Sequence, residues 1–338
     1  MDKYTWQIAA LFAGAALGGT YLGGYEWLRF FAYFGSWGTL GIVCASVGLG
    51  WFGYHVLIVC HRHGIRSLHD LYLHCFGESI APTLSALTHF FLLTYAGVIA
   101  SQYAGSFATG TVAWIMIVIP SLIAVFFLIG GRKRMITGAS VILSTGFLLF
   151  LLIFMEQLHV PIPSLSYQLN LYWLIHAFLY LALHYLLCLV FCLPLISRIP
   201  DEGTIRWGVG LGSLSFFVLA MLGQAILLAY WHDVHASPMP IRFILSQLIP
   251  FGDWLHVLLS LFHIGIWLAI LISSLALPVS VRHDLQLKPL VLVMVGTMFI
   301  VALISLIFPR SASLLATGAT YCGILLLLRM YWIKRKQT

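Results

Sequence analysis

The sequence predicts an all-α polytopic membrane protein with about ten transmembrane helices, on three observations. First, 61% of the 338 residues are hydrophobic and only 8% are charged, whereas a soluble domain carries about 25% charged and roughly 45–50% apolar residues. Second, the apolar residues form continuous runs, and roughly 20 of them in a helix cross the ~30 Å of hydrocarbon in a bilayer. Third, Lys and Arg crowd into alternate connections between those runs. With a mean hydropathy of +1.00, the chain cannot hide its side chains in a water-facing globule. A soluble enzyme, a nucleic-acid binder and a disordered chain are excluded. The formal charge of +7 reports orientation rather than affinity for phosphate. The six Cys include no CxxC pair, so neither a disulfide framework nor a zinc site is indicated.

The spans read as 6–31, 37–60, 82–107, 110–130, 136–157, 171–197, 208–231, 254–278, 289–308 and 313–333, separated by Gly, Pro and charge clusters. Helices are favoured over a barrel because the runs do not alternate, and lipid obliges backbone groups to pair within their own segment. The opening lacks the short basic, apolar and cleavage-site pattern of a leader, so its first run reads as a retained span. Ten spans put both termini on one side. Placing them in the cytoplasm leaves Arg29, Arg242 and Arg310 outside and the other Lys and Arg inside, from Lys3 and Arg62 through Arg132, Lys133 and Arg134 to Lys336. The expectation is a single transmembrane domain over 1–338.

Two connections stand out. Residues 61–81 carry His61, Arg62, His63, Arg66, His69, Asp70, His74 and Glu78. Their apolar members, Ile65, Leu68, Leu71, Leu73 and Phe76, suggest a short amphipathic segment on the inner surface. Residues 232–253, outside, hold Pro238, Pro240, Pro250 and Gly252 around an apolar stretch at 241–245. Both a plain connector and a lid fit that pattern, and the connector is the simpler expectation.

Residues 14–26 read GAALGGTYLGGYE. Gly14 with Gly18, and Gly19 with Gly23, form GxxxG pairs, which in one reading permit close helix packing. In the other, Gly18 and Gly19 unwind the helix near the midplane, since glycine takes non-helical angles at low steric cost. Unwinding frees carbonyl and amide groups for an ion or a polar solute, with the Thr20 hydroxyl at the break. Glu26 follows ~12 Å further on if the span is helical. A carboxylate in lipid is a functional hypothesis by default. It can hold a cationic group, carry a proton or fix a gate; the alternative is an i,i+3 ion pair with Arg29.

At these residues the chain resembles a family. GGTYLGGYE at 18–26, Phe30-Phe31 and FGSWGTLG at 34–41 are similar to the first-span pattern of the YkvI-type bacterial membrane proteins. Those proteins look like members of the amino acid–polyamine–organocation superfamily with the LeuT-type fold. The resemblance implies a 5+5 inverted repeat, about 6–157 and 171–333, in a bacterial cytoplasmic membrane. It also implies a substrate site between broken first and sixth helices, formed by Gly18, Gly19, Thr20, Gly23 and Glu26 with sixth-span residues. In the sixth span Tyr180 and His184 match the family's Tyr-x-x-x-Asn stretch, with His in place of Asn. Histidine changes charge near neutral pH where the amide does not. His176 lies two turns earlier on roughly the same face; packed imidazoles are the alternative for both.

In the eighth span Ser273-Ser274 resembles the family's paired-hydroxyl segment. The resemblance implies a cation site of those hydroxyls with backbone oxygens near Leu17 and Thr20; otherwise each serine bonds its own helix. On the third span, Gln102 and Tyr103 are implied to face the cavity, with interhelical bonding as the alternative. Histidines at 55, 89, 176, 184, 256 and 263 are scattered over different spans without an HxxxH pair, so no metal site is expected.

The leading function is secondary active transport of a small polar solute, amino acid or amine-like, coupled to Na+ or H+ by alternating access. No GxxxxGK[ST] signature for ATP occurs. No organic cofactor, catalytic residue or nucleic-acid partner is expected, only the solute and membrane lipid. The runner-up is a non-transporting receptor or sensor subunit on the same fold.

Overall fold

The computed structural model describes residues 2–107, 111–160, 171–196 and 198–337. The expected span ends at 110 and 197 fall outside the described residues. Fourteen described α-helices follow in order, with no described strand. Nine are long and apolar enough to cross a membrane: α3 (Ser36–Arg62), α5 (Ala81–Phe107), α6 (Thr111–Ile129), α7 (Gly131–Glu156), α8 (Tyr172–Ile196), α9 (Glu202–Ala229), α12 (Gly252–His283), α13 (Leu287–Ile307) and α14 (Pro309–Gln337). They match nine of the expected spans within a few residues. Their outer faces expose Val47, Ile115, Leu122, Leu148, Leu292 and Val293, as helices that meet lipid must. One apolar core cluster runs from Ile8 to Met330.

The remaining span, 6–31, is divided. Helix α1 (Lys3–Leu17) stops at Gly18, a short 3-10 turn covers Tyr21–Gly23, and α2 (Tyr25–Phe30) resumes after Gly24. Gly18 has φ +80° and Gly24 has φ +75°, which side-chain-bearing residues rarely adopt. The double-glycine pattern therefore marks an interruption, not a packing seam alone. The sixth span departs from what the family likeness implies. Helix α8 runs unbroken from Tyr172 to Ile196, because no glycine interrupts it and its Pro194 sits in the last turn.

Both α1 and α9 start on an aspartate that accepts from the third residue inward: Asp2 from the Thr5 amide and Asp201 from the Thr204 amide, each at 2.8 Å. The Thr204 hydroxyl also lies 3.2 Å from Asp2, tying the two starts together. The bonds from Thr5 hold the Asp2 carboxyl below the usual carboxylate range. Above these caps α1 lies along α9, where Gly208 and Gly212 leave room for Ile8 and Phe12.

Packing partners recur between the two halves. As α1 lies on α9, so α3 lies on α8; as α5 meets α13, so α12 meets α6; as α1 touches α7, so α8 touches α14.

The connections carry structure of their own. Helix α4 (Leu68–Phe76) is the expected amphipathic segment, capped by Ser67 on the Asp70 amide. The 232–253 connection is not a plain linker: after α10 (Trp231–Val234) it forms α11 (Pro240–Leu248), a nine-residue helix packed on α12. Pro240 sits at its first turn, where a missing N–H costs nothing. A pair between Arg242 and Asp253 fixes it, with Arg242 lying 4.3 Å over the Phe107 ring.

Candidate functional site

Helix α1 ends inside the protein, so its last carbonyls have no helical partner. Side chains from two other helices take them. From α8, the Tyr180 hydroxyl donates to Ala16 O at 2.7 Å and His184 Nδ1–H donates to Ala15 O at 2.9 Å. The Cys188 thiol adds a weak contact to Phe12 O at 3.5 Å. These residues are spaced by four, so they stand in one row along α8. From α12, His263 Nε2–H donates to Gly18 O at 3.0 Å and His256 Nε2–H to Leu22 O at 2.9 Å. A carbonyl only accepts, so each imidazole nitrogen named carries a hydrogen. Three of the six histidines scattered in sequence, His184, His256 and His263, thus converge on the interruption as backbone caps. Among the described residues no group of three or more His, Cys, Asp or Glu is placed to hold a metal.

Glu26 enters this site from α2. Its Oε1 accepts from the Tyr95 hydroxyl of α5 at 3.0 Å. Its Oε2 faces His184 Nε2 across 4.0 Å, with the carboxylate side chain 13% exposed and the imidazole 0%. Neither facing atom has a hydrogen-bond partner among the described residues. The Arg29 alternative does not form: Arg29 donates instead to the Tyr25 hydroxyl at 3.2 Å. Gly18 is required here for space as well as conformation. A Cβ on it would lie 2.7 Å from Glu26 Oε2 and 2.8 Å from His184 Cε1.

Beside the interruption lies a cavity of about 160 Å³. Gly19, Thr20 and Gly23 form one wall, Gln102 and Tyr103 a second, Ser260 and His263 a third. Pro238 and Met239, just before α11, complete its lining. The structure brings Gly19, Thr20, Gly23, Gln102 and Tyr103 together at one cavity. Gly18, Glu26, Tyr180 and His184 meet just behind it, as a cluster that holds the end of α1. Tyr103 is also anchored, donating to Val257 O at 3.0 Å.

The structure does not bring Ser273 and Ser274 to Leu17 and Thr20. Helix α12 passes α1 with His256 level with Leu22 and His263 level with Gly18. Ser273 lies ten residues beyond His263, ~15 Å along the axis. What α12 sets against Leu17 and Gly14 is Ile266, Trp267 and Ile270, around a void of about 20 Å³. The cation site implied by the family likeness is occupied by apolar side chains at this level. His176 likewise stays apart, packed against Phe30 and Phe34.

Sequence reasoning missed Tyr95, Ser260 and Trp267. A signal existed for two of them. Tyr95 precedes Gln102 by seven residues and so shares its face. His256, Ser260 and His263 form a polar row at i, i+4 and i+7 on an otherwise apolar helix.

No protein family matches the sequence, and no curated protein matches it. Solved structures do resemble the chain. One is a Na+-coupled sialic acid symporter in a substrate-bound, outward-open state, with TM-score 0.69 and 11% identity, over 97% of this chain and 78% of that one. Another is MhsT in complex with L-phenylalanine, with TM-score 0.64 and 13% identity, over 96% of this chain and 88% of that one. The likeness shows the fold: this chain is an all-α polytopic membrane protein with the LeuT-type fold.

Proposed function

We propose that the chain is a cation-coupled secondary active transporter of a small polar solute, amino acid or amine-like, working by alternating access. The observation that carries this reading is the interrupted first helix with a cavity beside it, where Thr20, Gln102, Tyr103, Ser260 and His263 stand among apolar residues. Non-helical backbone at membrane depth is tolerated where it lines a cavity or is buried in protein, and in carriers such interruptions form the solute site. The similar structures support it, since one is a Na+-coupled symporter of sialic acid and the other holds L-phenylalanine. The cavity, at about 160 Å³, suits a small solute. Thr20, Gln102, Tyr103 and Ser260 are its binding residues in this reading, and α11 is its lid.

The recurring packing partners support two inverted repeats, about 6–157 and 171–333. The distribution of Lys and Arg supports cytoplasmic termini in a bacterial cytoplasmic membrane. A second reading, a non-transporting receptor on the same fold, draws on one observation: side chains already hold the carbonyls of Ala15, Ala16, Gly18 and Leu22. Uptake of radiolabelled amino acids and amines into proteoliposomes separates the two. Accumulation driven by a sodium or proton gradient is expected. Saturable binding without accumulation under either gradient would select the receptor.

A further inference from the structure

Two buried acceptors face each other behind the cavity. His184 uses its Nδ1 hydrogen on Ala15 O at 2.9 Å, so in the neutral ring Nε2 presents a lone pair. Glu26 Oε2 lies 4.0 Å from that lone pair. Neither atom has another partner among the described residues. Lone pairs aimed at each other in a desolvated place are costly, and one hydrogen between them removes the conflict.

We propose that Glu26 and His184 form a proton-binding site. Resting on the transport reading above, this proton is the coupling cation. It adds to Glu26 Oε2, and the acid O–H then donates to His184 Nε2 after the pair closes by about 1 Å to ordinary bond length. On release the proton leaves to solvent water, and the carboxylate keeps its bond from Tyr95, with Thr20 beside it. The pair spans the moving parts, because Glu26 sits on the segment after the break and His184 holds the segment before it. Loading therefore draws α2 toward the end of α1, and unloading frees it.

The surroundings leave this pair as the titrating unit. Helix α5 presents the Tyr95 hydroxyl, the interruption presents Thr20, and α8 stacks Tyr180 on the His184 ring at 3.9 Å. One turn on, Cys188 is turned to Phe12 O. Helix α12 presents His263, already spent on Gly18 O, and Trp267. Helix α9 contributes the apolar Phe216 against Tyr180. Beside Leu17, α12 sets the apolar Ile266, Trp267 and Ile270, and the Tyr21 hydroxyl at the same void is donated to Ile142 O.

The test uses the full chain in potassium medium. Infrared difference spectra between acid and alkaline pH should show a protonated-carboxyl stretch that disappears in Glu26→Gln and shifts in His184→Phe, which keeps a ring against Tyr180. Should Glu26→Gln fail to fold, the shift in His184→Phe carries the test. No carboxyl band in wild type, or a band indifferent to both substitutions, overturns the proposal. In vesicles loaded with pyranine, an external mixture of L-amino acids should acidify the lumen without sodium, and Glu26→Gln should lower that rate at least about tenfold. Uptake that follows sodium and moves no protons would sink the proton site while leaving transport intact. A titrating Glu26 band with no solute accumulation would do the reverse, keeping the site and removing the carrier.

Discussion

Replacing Tyr180 by Phe removes one oxygen and nothing else. The ring keeps its stack on His184, its contact with Phe31 at 4.9 Å and its stack on Phe216 at 5.6 Å. What is lost is the bond to Ala16 O, 2.7 Å long and fully buried at both ends. Interhelical hydrogen bonds in membranes average only ~0.6 kcal/mol, because the freed groups usually find other partners. Ala16 O has no such recourse, since Ala16 is wholly enclosed and the helix has ended. The cost is therefore that of an orphaned buried acceptor, about 1–3 kcal/mol. That favours opening at the interruption by a factor of about 5 to 150. Hydrogen exchange read by mass spectrometry reports it through the Gly23 and Gly24 amides, which are bonded to Thr20 O and Tyr21 O. Tyr180→Phe should accelerate exchange in the peptide covering 14–24 by that factor. Tyr72→Phe, which breaks a remote bond to Thr88, should leave that peptide alone. Unchanged exchange at 14–24 in Tyr180→Phe would show that the hydroxyl does not hold the broken end.

Three further outcomes follow from the packing and the loops. Gly223→Ala should destabilise by about 1–3 kcal/mol through overpacking, because its Cβ would fall 2.1 Å from the buried Trp27 ring; a thermal melt in detergent indistinguishable from wild type would contradict the close approach. Added sodium should move the melting temperature of Ser273→Ala with Ser274→Ala no differently from that of wild type, since neither serine reaches the interruption; a sodium shift seen in wild type and lost in that double variant would restore the hydroxyl site. Burial, with His63 4.6 Å away, holds His74 below the usual histidine range. The unfolded chain therefore binds this proton first as pH falls, and its contribution to stability, complete above about pH 6.5, declines on acidification. Melting curves from pH 7.5 to 5.5 should show a smaller acid loss in His74→Gln than in wild type.

The helices were legible because each span states its own length in apolar residues, and only the first needed more. There the paired glycines and Thr20 offered an interruption as one of two readings, the other being close helix packing. The cavity wall at Gln102 and Tyr103 was reachable through the family likeness. The failures share a cause. Which residue of α12 lies beside Leu17 depends on the register of two helices more than two hundred residues apart, and an apolar helix offers no local mark of that register. The serine pair was therefore set at the interruption when Trp267 stands there. The helix at 240–248 went unread, the plain connector being the simpler expectation, for a related reason. Residues 240–248 gain their helix from Pro240 and from burying Ile241, Ile244 and Leu245, a surface that exists only once α12 is in place.

The four imidazole and hydroxyl anchors are split by address. Tyr180 and His184, both on α8, grip residues before Gly18. His256 and His263, both on α12, grip Gly18 itself and the turn beyond it. A slide of α12 against α8 therefore works the interrupted helix like a pair of handles on one hinge pin. Any movement between the two helices is delivered to the few residues that border the cavity.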